Sequence, residues 1–154
     1  MKHETRKGTY VLLLDLNFDT ELDVGALGRL RFESGRYCYT GSAMGGLDSR
    51  LARHLRSEKK VRWHIDSLTI AADRREAWES YPDPIPECEL VRRAEACRMV
   101  PVHDGFGCSD CRCRTHLFRV PEGTDEALIR ACGLNRFIAI KAGNTVTPAW
   151  TPSP

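Results

Sequence analysis

The sequence predicts an α+β chain, a small and mostly antiparallel central sheet flanked by helices. Three observations carry that expectation. Residues 8–16, GTYVLLLDL, form an apolar run of strand length, rich enough to be buried within a sheet. Residues 17–33 are punctuated by Asp23, Gly25 and Gly28, the pattern of a long hairpin that brings the chain back beside its first strand. Leu47, Leu51 and Leu55 then recur every four residues as the apolar stripe of a helix, with Arg50 and His54 together on a neighbouring face.

In chain order, Tyr10 near the start of the first strand reads on its own as a strand aromatic with its hydroxyl at the sheet edge. Arg29 to Glu33 alternates like a strand, and Ser34-Gly35 turns the chain into the aromatic strand Arg36-Tyr-Cys-Tyr-Thr40. That strand breaks at Gly41, and Gly45-Gly46 releases the basic helix ending at Leu55. After the polar break Ser57 to Lys60, Trp63 opens a second helical segment. Trp63, Ser67 and Ile70 lie about one and two turns apart, so Trp63 is expected to anchor this segment in the core. His64 and Asp66 either line a site or phosphate path, or Asp66 only favours the helix N-terminus. Arg75 to Tyr81 reads as a third strand. Asp83-Pro-Ile-Pro86 makes a turn and a helix start, and the helix Glu87 to Cys97 turns Leu90, Val91, Ala94 and Cys97 inward. Leu117 to Val120 is strand-like, Thr124 to Cys132 is a helix capped by Thr124 and stopped by Gly133, and Phe137 to Ile140 adds a last strand. Residues 1–144 are expected to form a single domain, with 145–154 a loose, proline-bearing tail.

A chain of 154 residues fits one domain with a real core. The net charge of +2 conceals an uneven distribution: between Arg50 and Arg62 six Lys/Arg face a single acid, Glu58. Such a block is either a nucleic-acid footprint or a solvated helix surface. No stretch approaches the roughly 20 apolar residues needed to span a bilayer, and residues 1–7 lack the apolar core of a signal peptide. A cytoplasmic chain with no membrane partner is the expectation. Seven cysteines in that setting favour thiols or metal ligands over a disulfide framework.

Gly8-Thr-Tyr10 and Tyr39-Thr-Gly41 resemble the two half-motifs that name the GIY-YIG nuclease superfamily, and Gly41-Ser-Ala43 followed by Arg50 and His54 resembles the same family's continuation. More narrowly, Trp63-His-Ile-Asp66 and the block from Gly105 to Phe118 resemble the Uri-type endonuclease branch. The resemblance covers roughly residues 8–120. It implies a GIY-YIG-type antiparallel sheet and a metal-dependent endonuclease acting on nucleic acid, with DNA the preferred expectation and RNA left open. The chain departs from the pattern at three points. The spacing between Tyr10 and Tyr39 is long, leaving room for an extra strand. Ser42 stands where some members carry a basic residue. The family's late Asn has no match, with Ser109 or Asp110 in the comparable loop.

Phosphodiester hydrolysis needs a proton acceptor for water, a counter-charge for the phosphate and help for the leaving oxygen. Tyr10 and Tyr39 offer phenols, one serving as base if a nearby cation lowers its pKa from about 10. Arg50 presents a planar fork suited to phosphate, and His54 can bond phosphate or shuttle a proton. Ser42, Arg53, Lys59, Lys60 and His64 are the accompanying nucleic-acid-binding candidates. The family resemblance places a metal-binding Glu at a helix start, followed by two residues and then Leu-Ile, and Glu87-Cys-Glu-Leu90-Val91 fits that spacing. Glu87 is thus expected to hold magnesium or manganese, while Glu89 points to solvent.

The block Cys108-x-x-Cys111-x-Cys113-x-x-His116 reads as a zinc knuckle, as buried free thiols, or as a redox or catalytic centre. The branch resemblance implies Cys88, Cys111, Cys113 and His116 as the zinc set, without Cys108. Beside the nuclease stand two other readings: a non-catalytic nucleic-acid-binding module, zinc-stabilised or not, and a zinc- or thiol-dependent protein. A protein partner is not legible in the sequence.

Overall fold

The apolar run 8–16 becomes β1 (Gly8–Leu16), an interior strand in a computed structural model that describes residues 5–108, 111–141 and 144–145. β1 runs antiparallel to two neighbours, β4 (Gly35–Ala43) and β5 (Arg74–Ser80). Beyond β4 lie β7 (Leu117–Arg119) and then β6 (Val100–Pro101), and beyond β5 lies β8 (Asn135–Phe137). The six-stranded order is β6-β7-β4-β1-β5-β8, with every pairing antiparallel.

Every residue from Gly8 to Leu14 is buried because the sheet is covered on both faces. Side chains alternate across a strand, so Tyr10, Leu12, Leu14 and Leu16 join one core cluster while Val11 and Leu13 join another. The first cluster is closed by α1 (Leu47–Leu55) and α2 (His64–Ala71) through Leu47, Leu51, Ile65 and Leu68. The second is closed by α3 (Glu87–Ala96) and α4 (Thr124–Cys132) through Leu90, Val91, Ala94 and Leu128. Helices on both sides of an antiparallel sheet are therefore the observed architecture, as the sequence predicts.

The long insertion does hold an extra strand. β2 (Thr20–Asp23) pairs with β3 (Arg29–Phe32) in a separate two-stranded sheet. The predicted cap of α4 is different: Thr124 is the first helical residue, its Oγ1 donating to the Pro121 carbonyl at 2.7 Å, and Gly123 takes the cap position. Gly133 does stop the helix, in the left-handed conformation at φ 61°. The expected last strand is divided between β8 and β9 (Ile140–Lys141), and β9 pairs with β10 (Asn144–Thr145). The tail expected over 145–154 begins one residue too early, since Thr145 belongs to β10, and its remaining residues 146–154 lie outside the described residues. No helix among the described residues is long and apolar enough to cross a membrane.

Candidate active site and metal cluster

The register of β1 and β4 brings the two tyrosines together. Tyr10 stands opposite Gly41 and Leu12 opposite Tyr39, so the tyrosines are diagonal neighbours on one sheet face. Gly41 is required there because a Cβ would overlap the Tyr10 ring. The ring lies over the glycine and sends its hydroxyl to His54 Nε2 on α1, at 2.9 Å. Tyr39 is covered by the loop that follows β6, where Gly107, at φ 75°, permits a close approach that a side chain would block.

These groups line one cavity of about 270 Å³ with Ser42, Arg50, His64 and Glu87. Arg50 Nη1 donates to the Ser42 carbonyl at 2.9 Å. Glu87 heads α3 and faces the cavity, whereas Glu89 is engaged outside by Arg92 and Arg93. His64 Nδ1 accepts from the Gly107 N–H at 3.1 Å, tying α2 to the covering loop.

Three nucleic-acid-binding candidates do not line the cavity. Arg53 makes a two-pronged ion pair with Asp66, at 2.8 and 2.9 Å, which occupies its guanidinium. Lys59 Nζ donates to the carbonyls of Arg53 and His54, closing the end of α1, and burial there lowers its pKa to about 8. Lys60 is exposed and away from the cavity. Asp66 takes the cap reading: fully buried, it accepts the N–H groups of Arg62 and Trp63 at 2.7 and 2.9 Å. Burial alone would raise its pKa, but Arg53 and those two N–H groups hold it below the usual carboxylate range.

Sequence reasoning missed two cavity residues, Arg62 and Trp63. Trp63 is not simply a core anchor. It is half-buried, and the guanidinium carbons of Arg50, Arg53 and Arg62 lie 4.6, 4.5 and 5.5 Å from its ring centre. The electron-rich ring face holds mutually repelling cations near one another. Among the described residues no carboxylate lies within ion-pairing distance of Arg50 or Arg62, and Glu87 is the one carboxylate lining the cavity with them. The available signal was the basic block itself, since Arg62 ends it.

Burial sets the protonation states. It raises Tyr10 to about 12, with Arg50 pulling the other way, and it raises Tyr39 well above its ordinary value. The pull of Arg50 on Tyr10 is thus outweighed by burial. His54 is lowered to about 3, first by burial and then by Lys59, with Arg50 and Arg53 adding to it and Asp66 opposing. At neutral pH the Tyr10 hydroxyl accordingly donates and His54 Nε2 accepts. His54 Nδ1 is buried with no partner among the described residues. Glu87 is raised by burial, with Arg50 opposing.

Beside Glu87, one donor atom each from Cys88, Cys111, Cys113 and His116 lies within 4.8 Å of all the others. Tetrahedral zinc with sulfur ligands at 2.3 Å has donor edges of about 3.8 Å, so small movements close the group around an ion. Cys111 Sγ already lies 3.0 Å from His116 Nε2. Cys108 is outside this donor group although it neighbours Cys111, its thiol donating to the Phe106 and Cys113 carbonyls. The Cys113 thiol is pushed up by burial and by its neighbours Cys88 and Cys111. Three close sulfurs need protons or a cation to sit together, and the donor set fits a metal ion. Ser109 and Asp110 lie outside the described residues.

Fold and site together define an α+β protein with a cationic, tyrosine-lined cavity and an adjoining Cys/His cluster able to hold a metal. The chain belongs to the family described as a domain of unknown function, DUF123, whose match spans residues 9–136. No curated protein and no solved structure matches the chain.

Proposed function

We propose that the protein is a GIY-YIG-type endonuclease of the Uri-type branch, hydrolysing phosphodiester bonds in DNA with magnesium or manganese at Glu87. The observation that carries this reading is convergence. Tyr10, Tyr39, Arg50, His54 and Glu87 come from β1, β4, α1 and α3, yet meet in one cavity whose cations lack carboxylate partners. In that cavity Arg50 and Arg62 hold the scissile phosphate. Tyr10 accepts a proton from the attacking water on its oxygen while passing its own proton to His54 Nε2, the acceptor 2.9 Å away. Burial chiefly keeps His54 a weak base, and the arriving phosphate offsets the positive surroundings that add to it. Tyr39, buried against the covering loop, fixes the wall beside Tyr10. A divalent ion at Glu87 supplies charge neutralisation for the phosphate and leaving oxygen.

Cys88, Cys111, Cys113 and His116 are proposed to hold a structural zinc, since four protein donors leave no open position for chemistry. Seven free thiols suit a reducing cytoplasmic setting. The buried, proton-retaining phenols favour a second reading, a nucleic-acid-binding module without cleavage.

The test is a panel of duplex, single-stranded, flap and mismatched DNA with magnesium or manganese, comparing wild type with Glu87→Ala. Products formed only by wild type and only with metal are expected. A folded, zinc-loaded protein that binds the panel in a salt-dependent way and leaves every strand intact moves the assignment to the binding module.

A further inference from the structure

The cavity and the Cys/His cluster share a residue. We propose that His116 is a positioning residue that couples the cluster's metal ion to the Glu87 carboxylate, so that the two metal sites are assembled as one unit. This rests on the reading of Glu87 as the holder of the divalent ion.

The two nitrogens of His116 face different ways. Nε2 points into the cluster, 3.0 Å from Cys111 Sγ. Nδ1 lies 2.8 Å from Thr40 Oγ1 and 3.1 Å from Glu87 Oε2. A metal on Nε2 leaves Nδ1 as the protonated nitrogen, so the ring presents an N–H to Thr40 and Glu87. The ring is 1% exposed and cannot readily turn away. Its backbone is tied on both sides, with the His116 N–H to the Phe106 carbonyl at 2.9 Å and the Thr40 N–H to the His116 carbonyl at 3.0 Å. Thr40 is the immediate neighbour of Tyr39, so this anchor belongs to the same strand segment as the cavity wall.

Glu87 is held from a second direction. The next residue in the chain, Cys88, contributes a donor to the cluster. An ion in the cluster therefore fixes the first turn of α3 through Cys88 and aims an N–H at the Glu87 side chain through His116. A purely structural knuckle needs four donors but has no need for one of them to contact the cavity carboxylate. The arrangement is that of an outer-shell carboxylate on a metal-bound imidazole, with the carboxylate facing a second cation site. Preorganisation of this kind typically changes metal affinity 10–100-fold.

Coupling of this kind is reciprocal, which gives two readouts that do not depend on DNA cleavage. In the first, zinc-loaded His116→Cys keeps four ligands but lacks the N–H toward Glu87. Its zinc content, melting temperature and manganese affinity are compared with those of wild type and Glu87→Gln by metal analysis, thermal melting and electron paramagnetic resonance. The expected result is one zinc per chain, a cooperative melt and manganese binding weakened about tenfold, toward the Glu87→Gln value. A zinc-loaded variant that binds manganese as tightly as wild type overturns the proposal. In the second, which also decides the matter if His116→Cys fails to fold or load, cobalt replaces zinc in the wild-type chain and magnesium is titrated in. A shift of the cobalt visible bands in wild type but not in Glu87→Gln supports the coupling, and bands indifferent to magnesium overturn it. If the bands respond while DNA stays intact, the nuclease reading fails and the coupling stands.

Discussion

His54 gives the sharpest test of how the cavity is built. In the fold it is buried, its Nε2 accepts the Tyr10 hydroxyl, and its Nδ1 has no partner among the described residues. A charged imidazolium would turn Nε2 into a second donor facing a phenol that already donates. Burial, with Lys59, Arg50 and Arg53 nearby, lowers its pKa from 6.5 to about 3. The folded value lies below the unfolded one, so the unfolded chain takes up the proton first as pH falls. Stability is whole above pH 6.5 and declines below it, by about 1.4 kcal/mol for each pH unit down to about pH 3. The loss attributable to His54 reaches about 3 kcal/mol by pH 4.5 and about 5 kcal/mol at its limit. Other groups titrate in this range, so the quantity to measure is a difference. Urea denaturation of wild type and His54→Gln at pH 7.5, 6.5, 5.5 and 4.5 isolates it, because glutamine can still accept the Tyr10 hydroxyl and carries no titratable proton. The variant is expected to gain on wild type by about 3 kcal/mol between pH 6.5 and 4.5. A constant gap across the series, or a His54 ring that titrates near 6.5 by NMR, would sink the argument that it stays neutral as the acceptor for Tyr10.

The basic wall yields two further expectations. Asp66→Asn removes the buried charge that the half-buried Arg53 pairs with and weakens the cap of α2, costing about 3 kcal/mol; a urea midpoint equivalent to less than 1 kcal/mol of loss would contradict the pairing. Arg62→Ala leaves the core untouched but removes a cavity cation, so the slope of log affinity against log salt for duplex DNA should shrink by about 1 with little change in thermal melting. An unchanged slope would mean that Arg62 does not meet phosphate.

The parts of this protein legible in its sequence are those where side-chain period and backbone chemistry agree. A run as apolar as 10–14 identifies a strand covered on both faces, and the leucine stripe of α1 places Arg50 and His54 on the face that meets the cavity. The Leu90-Val91 pair rightly separates Glu87 from Glu89. What the sequence hides depends on contacts between elements. Arg53 and Arg50 look equivalent along α1, but only the position of Asp66 on α2 decides that Arg53 is held in an ion pair while Arg50 bonds only a backbone carbonyl. Trp63 looks like a core residue because nothing in its spacing reveals three guanidiniums around its ring. The phenol environment is hidden for the same reason: a cation one helix away is visible in the sequence, whereas the depth of burial that raises both phenols is not.

The antiparallel register explains why the tyrosine half-motifs must be kept together with the glycine. Because Tyr10 faces Gly41 rather than a residue with a side chain, its ring can lie flat across β4 and carry its hydroxyl to α1. Shifting the pairing by one residue would turn Tyr10 to the α3–α4 face of the sheet and break the link to His54. The same strand carries Thr40, which anchors His116, so one register sets both the phenol–imidazole pair and the approach of the Cys/His cluster to Glu87. The two constellations that stand apart in the sequence, the tyrosines at 10 and 39 and the Cys/His set between 88 and 116, are thus fixed by a single strand pairing. Any change that slips β4 against β1 is expected to disable both at once.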